Sequence, residues 1–255
     1  MTRDQIRKIL VPAIMVVGIV LLLIGIKAGI GGGVKAAEDN GFRVDNSVLT
    51  AYLGNETFVT IPGDVKAIGE NAFKGNATLK SVEIPSNVET IGFNAFKNCT
   101  ALTKLNVSGF DTRNATATNH MFYNCENLKE VDVSGFQTGN VTNMKSMFSG
   151  CKGLVKLDVS GFDTSNVTNF SYMFNECSSL TALNVSDFDT TSATSMDFMF
   201  YQGENLKELD VSGFQTGNVT NMHAMFCGCK ALTKLDVSGF DTANVTDMAN
   251  MFRDC

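Results

Sequence analysis

Hydrophobic and polar positions alternate in short stretches that return along most of the chain. In residues 154–160, Leu157 and Val159 alternate with Lys156, Asp158 and Ser160, a pattern that predicts a short half-buried strand. Gly161 interrupts it and Phe162 turns inward again. The tetrad Asp163-Thr164-Ser165-Asn166 then reads as a turn whose side chains bond their own backbone. One copy earlier, Val141, Met144, Met147, Phe148 and Cys151 have helical spacing, with Asn140 or Thr142 available as N-cap. One unit is therefore predicted to be a strand, a turn, and a short helix or helical turn.

The unit repeats. Leu105, Val131, Leu157, Leu183, Leu209 and Leu235 open six copies at a spacing of 26 residues, the last copy incomplete at Cys255. Phe110, Phe136, Phe162, Phe188, Phe214 and Phe240 fill a second column. Phe122, Phe148, Phe174, Phe200, Phe226 and Phe252 fill a third. Two copies with a spacing of 23 residues precede them over 59–104: Ile61-Pro62, Ile68-Gly69 and Ala72-Phe73 match Ile84-Pro85, Ile91-Gly92 and Ala95-Phe96. No copy can bury its apolar side alone, so the copies stack into a solenoid. Stacked at about 4.8 Å, the strands of eight copies span roughly 35–40 Å. Residues 41–58 read as an entry cap over the first edge, with a strand at 48–53 and a turn at Gly54-Asn55. The expected class is α/β, with one short parallel strand per repeat and short helices or helical turns opposite.

These residues carry a family resemblance over about residues 45–255. The Ile-Pro, Ile-Gly and Ala-Phe units at 61–96 resemble the BspA-like leucine-rich repeats of bacterial surface proteins. The Leu-Asp-Val-Ser-Gly-Phe-Asp-Thr-Ser-Asn-Val-Thr unit, with its Met-Phe and Cys, is similar to the longer repeat class of the same proteins. The resemblance implies a leucine-rich-repeat solenoid on the cell surface that adheres to host, matrix or other macromolecules.

The first forty residues differ in kind. Arg3, Arg7 and Lys8 precede an apolar run at 9–26, broken only by Pro12 and Gly18. Its 18 residues approach a membrane-spanning length and exceed the apolar core of a cleaved signal. Length favours an uncleaved anchor, with residues 1–8 cytoplasmic and the repeats outside. Cleavage near Val34-Lys35-Ala36 would instead give a secreted protein. Residues 27–40, with Gly31-Gly32-Gly33, read as a flexible spacer.

Charge and chemistry narrow the function further. A net charge of −6 without a basic stripe argues against nucleic acid. His120 and His223 are the only histidines, and no nucleophile–base set, metal spacing or phosphate loop can be assembled, so neither catalysis nor a cofactor is expected. Asp111, Asp163, Asp189 and Asp241 form a turn column that capping and solvation explain better than calcium. The Cys column (Cys99, Cys125, Cys151, Cys177, Cys229, Cys255) reads as buried packing thiols, although adjacent copies fall within disulfide reach. Gly203 interrupts it, and Cys227 lies off it as an expected surface thiol.

The candidate ligand-binding surface is the outward strand face. One column holds Lys104, Glu130, Lys156, Ala182, Glu208 and Lys234, and the next holds Asn106, Asp132, Asp158, Asn184, Asp210 and Asp236. Opposite charges fall on neighbouring strands at Lys104–Glu130, Glu130–Lys156 and Glu208–Lys234, which stabilises a sheet modestly. The strip carries no aromatic anchor. Two readings stand side by side: a solubilising face, or a surface that binds an extracellular protein or glycan. Besides adhesion, a structural stalk displaying a partner or a further domain is the alternative function.

Overall fold

The computed structural model describes residues 40–255. The expected anchor at 9–26, its basic flank and all but the last residue of the spacer lie outside the described residues. Among the described residues, no helix is long and apolar enough to cross a membrane.

Ten strands follow in order: β1 Phe42–Asp45, β2 Val48–Tyr52, β3 Phe58–Thr60, β4 Ala67–Ile68, β5 Ser81–Glu83, β6 Thr90–Ile91, β7 Lys104–Asn106, β8 Glu130–Asp132, β9 Ala182–Leu183 and β10 Glu208–Leu209. Strands β1 and β2 form an antiparallel hairpin. Asn46 and Ser47 close it with φ of 48° and 62°, the left-handed pair that matches the twist of a two-residue hairpin. Every later pairing is parallel and joins one coil to the next. One ladder runs β3-β5-β7-β8 and continues at Glu130↔Lys156. The other runs β2-β4-β6, and in later coils continues as single bridges Ala117↔Asn143↔Asn169↔Ser195↔Asn221↔Asp247. The register Val59↔Val82 carries the shorter repeat, and Leu105↔Val131 the longer one.

Two expectations are corrected here. Coils contribute to two parallel ladders rather than one, and the described residues contain no helix, so the class is an all-β solenoid. The apolar spacing read as helical belongs to paired β-turns. Met147 N donates to Met144 O (3.2 Å) and Cys151 N to Phe148 O (3.1 Å). The third residue of each turn, Ser146 or Gly150, is left-handed at φ 56° and 76°, as a type II turn requires. Those same residues send their amides to the next coil, Ser146 to Ser171 O (2.9 Å) and Gly150 to Asn175 O (2.8 Å). A helix would instead spend these amides locally, on carbonyls four residues back. Each turn returns an apolar residue to the core every three or four positions, so it imitates helical periodicity. Asn140 and Thr142 cap nothing. Their side chains donate to Arg113 O (2.7 Å) and Thr116 O (3.3 Å) on the preceding coil.

The core is a set of columns. Phe73, Phe96, Phe122, Phe148, Phe174, Phe200, Phe226 and Phe252 stack ring on ring, with centroids 5.1–6.3 Å apart. Beneath the polar turn, Thr112, Thr138, Thr164, Thr190 and Thr216 are buried. Each donates its hydroxyl to a carbonyl one coil on, as Thr164 does to Asp189 O at 2.9 Å. Such bonds satisfy polar groups that stacking would otherwise strand in the interior.

Candidate functional site

The β3-β5-β7-β8 ladder presents its alternate residues outward, because successive strand side chains point to opposite faces. Leu105 and Val131 face the core, while Lys104, Asn106, Glu130, Asp132, Lys156 and Asp158 are exposed. These six, with the backbone between them, line a shallow depression of about 490 Å³. Asn184, Glu208, Asp210, Lys234 and Asp236 are exposed further along. Pairing along this face stops between Lys156 and Ala182 and resumes at Ala182↔Glu208. Val155 is 48% exposed at this break.

Of the three expected ion pairs, one forms: Lys104 Nζ to Glu130 Oε2 at 3.7 Å, between two exposed side chains. Such a pair contributes at most about 1 kcal/mol. Among the described residues, Lys156, Glu208 and Lys234 have no ion-pair partner. The aspartates are held locally. Asp132 Oδ1 accepts the Ser134 hydroxyl (2.7 Å) and amide (3.1 Å), and Asp158 does the same with Ser160. These bonds, the hydroxyl foremost, keep both carboxyls below the usual carboxylate range. The face therefore carries locally held negative charge beside exposed lysines, of which Lys104 is paired with Glu130.

The ladder also reaches an aromatic side chain. Phe58 pairs with Ser81 and Ser81 with Lys104, so Phe58 heads the Lys104 column, and it is 58% exposed. Two steps of the 23-residue period back from Lys104 would have placed it there. The buried threonines were likewise legible as an invariant column one position after the turn aspartate or glutamine.

Other groups settle into structural roles. All seven cysteines are free. Column thiols donate to the preceding coil, as Cys151 Sγ does to Phe122 O at 3.2 Å. Burial pushes Cys99, Cys177 and Cys229 up to about 12, and Cys125 and Cys151 well above their ordinary value. Cys227, expected at the surface, is buried, because its turn residue lies under the following coil. Burial, helped by Lys97 and Lys145, pushes His120 down to about 4. His223 Nδ1 lies 3.2 Å from Asp247. Among the described residues, no group of three or more His, Cys, Asp or Glu is placed to hold a metal ion.

Two parallel ladders, stacked phenylalanines and an open polar strand face define a β-solenoid of leucine-rich-repeat type. The chain belongs to the family described as "Mycoplasma protein of unknown function, DUF285", whose pattern matches residues 92–208 and 181–255. No curated protein matches it in sequence. Among solved structures, it is similar to a leucine rich cell surface protein from Faecalibacterium prausnitzii. That match has 23% identity and TM-score 0.51, over 82% of this chain and 55% of that one. A leucine-rich repeat protein from Eubacterium ventriosum matches at 21% identity and TM-score 0.53, over 86% and 59%. The chain thus spans a little over half the length of those two structures. At this identity the likeness is one of fold, and the resemblance drawn from the repeats to bacterial leucine-rich surface proteins holds at that level.

Proposed function

We propose that this chain is a cell-surface, adhesin-like protein that binds an extracellular protein or glycan through the outward strand face and performs no catalysis. Residues 9–26 anchor it in the membrane with the repeats outside. The observation that carries the reading is the division of labour within each coil. Buried threonines, thiols and turn amides are committed to neighbouring coils, whereas Lys156, Glu208 and Lys234 stand exposed and have no ion-pair partner among the described residues. A rigid backbone presenting uncommitted polar side chains over a shallow depression suits recognition of a large partner. The fold shared with a leucine rich cell surface protein supports the same location.

The test is binding of the full chain to arrays of matrix proteins and glycans, beside a variant carrying Lys156→Ala, Asp158→Ala and Glu208→Ala. Saturable binding lost in the variant supports adhesion through this face. Binding that persists in the variant refutes the face, and a folded chain that binds nothing favours a structural stalk.

A further inference from the structure

We propose a second interaction surface on the stacked-turn edge, where Tyr172, Phe198, Tyr201 and His223 form a half-exposed aromatic group that receives an arginine of a partner protein. It does not depend on the strand face. Tyr172 and Phe198 occupy the left-handed position of a type II turn, with φ of 60° and 55°. In the same column other coils carry Asn71, Asn94, His120, Ser146, Ala224 and Asn250, residues that suit or tolerate that backbone. Large rings there are unfavourable for the fold alone, and strain of this kind clusters at binding sites.

The rings assemble across three coils. Tyr172 and Phe198 stack at 4.6 Å, Tyr201 meets Phe198 edge-on at 5.3 Å, and His223 lies 5.0 Å away on the next coil. Lys145 sits over Tyr172 at 5.7 Å, so these rings already accept a cation. Beside Phe198, Asp197 Oδ1 accepts the hydroxyls of Ser171 and Ser195, both at 2.5 Å. That orients the carboxylate, whose Oδ2 takes no hydrogen bond among the described residues, while Asp247 adds negative charge beyond His223. A planar guanidinium can lie against aromatic rings and bond a carboxylate at once, which a lysine ammonium does less well.

The test is fluorescence anisotropy of labelled tetra-arginine and tetra-lysine amides with the full chain in mild detergent, at about 0.15 M salt. The expected result is saturable binding that favours tetra-arginine and is kept by the strand-face triple variant. It weakens about ten-fold in Tyr172→Asn/Phe198→Asn, a loss typical of aromatic anchors. The melting temperature of that double variant is expected to stay level or rise. Absent binding, equal binding of tetra-lysine, or binding that survives the double variant overturns the proposal. If the double variant melts early, Asp197→Asn decides: it leaves the rings in place, and undiminished tetra-arginine binding overturns the proposal. A neutral oligosaccharide that binds the wild type and is lost in the double variant overturns it in favour of a glycan site.

Discussion

Gly203 stands where every other complete long coil carries the column cysteine, and replacing it by cysteine should stabilise the protein. A void of about 10 Å³ lies at this point, lined by Phe174, Cys177, Leu180, Leu183, Phe200 and Leu206. That is about the space one water-sized group fills. The backbone at Gly203 is not left-handed, so an L side chain is allowed. An added Cβ would lie 3.1 Å from Phe200 O and 3.5 Å from Cys229 Sγ, close enough to demand a shift of a few tenths of an ångström. Burying the two added heavy atoms is worth roughly 1.6 kcal/mol at about 0.8 per methylene-sized group. Removing glycine's freedom from the unfolded chain adds about 0.4–1 kcal/mol. Crowding against the Phe200 carbonyl offsets roughly 1 kcal/mol, at the low end of overpacking costs. The balance is about 1 kcal/mol, or about 2–4 °C in Tm for a chain of this size. By the column's pattern, the new thiol would donate to Phe174 O. Thermal unfolding followed by circular dichroism under reducing conditions measures the effect, with Gly203→Ala as the variant that adds Cβ without sulfur. Gly203→Cys melting below both wild type and Gly203→Ala would refute the reasoning, because the sulfur itself would then be unwelcome in the void.

Gly150→Ala should cost more than Gly75→Ala. Both glycines are left-handed, at 76° and 79°, but a Cβ at Gly150 collides with Asn124 whereas one at Gly75 meets open space. Strain alone costs about 1–2 kcal/mol, so Gly75→Ala should fall in that range in urea titrations and Gly150→Ala beyond it. Thr164→Val keeps the shape of a buried side chain but removes its bond to Asp189 O, and should destabilise by about 1–3 kcal/mol, with Thr164→Ser recovering part of the loss. The buried thiols make the fold alkali-labile. Their folded pKa values are raised, so their contribution is complete below the unfolded value of about 9 and is lost as pH rises toward about 12. Melting temperature should fall over that window, and at pH 8 a thiol reagent should modify exposed Cys255 while the column thiols react only after denaturation.

The repeat columns made the solenoid legible, because a fixed period can place Leu105, Val131 and Leu157 in one row only if the coils stack. The same logic located the outward strand residues, since alternation along a strand is set within a few residues. The turn stack was misread for a physical reason. Val141, Met144, Met147 and Cys151 recur every three or four residues in a type II turn pair much as they do in a helix, and the difference lies in where the amides go. That choice depends on Ser171 and Asn175 lying one coil away. Left-handed residues were a local clue, through Gly75, Gly150, Gly228 and the asparagines, but Glu176 and Gln202 in the glycine column, and Tyr172 and Phe198 in the column of Asn71, hide the rule.

The sequence by itself determined the stacking, the coil length, the buried columns and the exposed strand face, because these follow from apolar periodicity and the need to bury it. Only the tertiary structure decided the second ladder, the absence of helix among the described residues, the thiol and threonine bonds, the burial of Cys227 and the aromatic group around Phe198. Each of these rests on contacts between residues about one repeat apart. Their partners are chosen by coil-to-coil geometry, which no local pattern encodes.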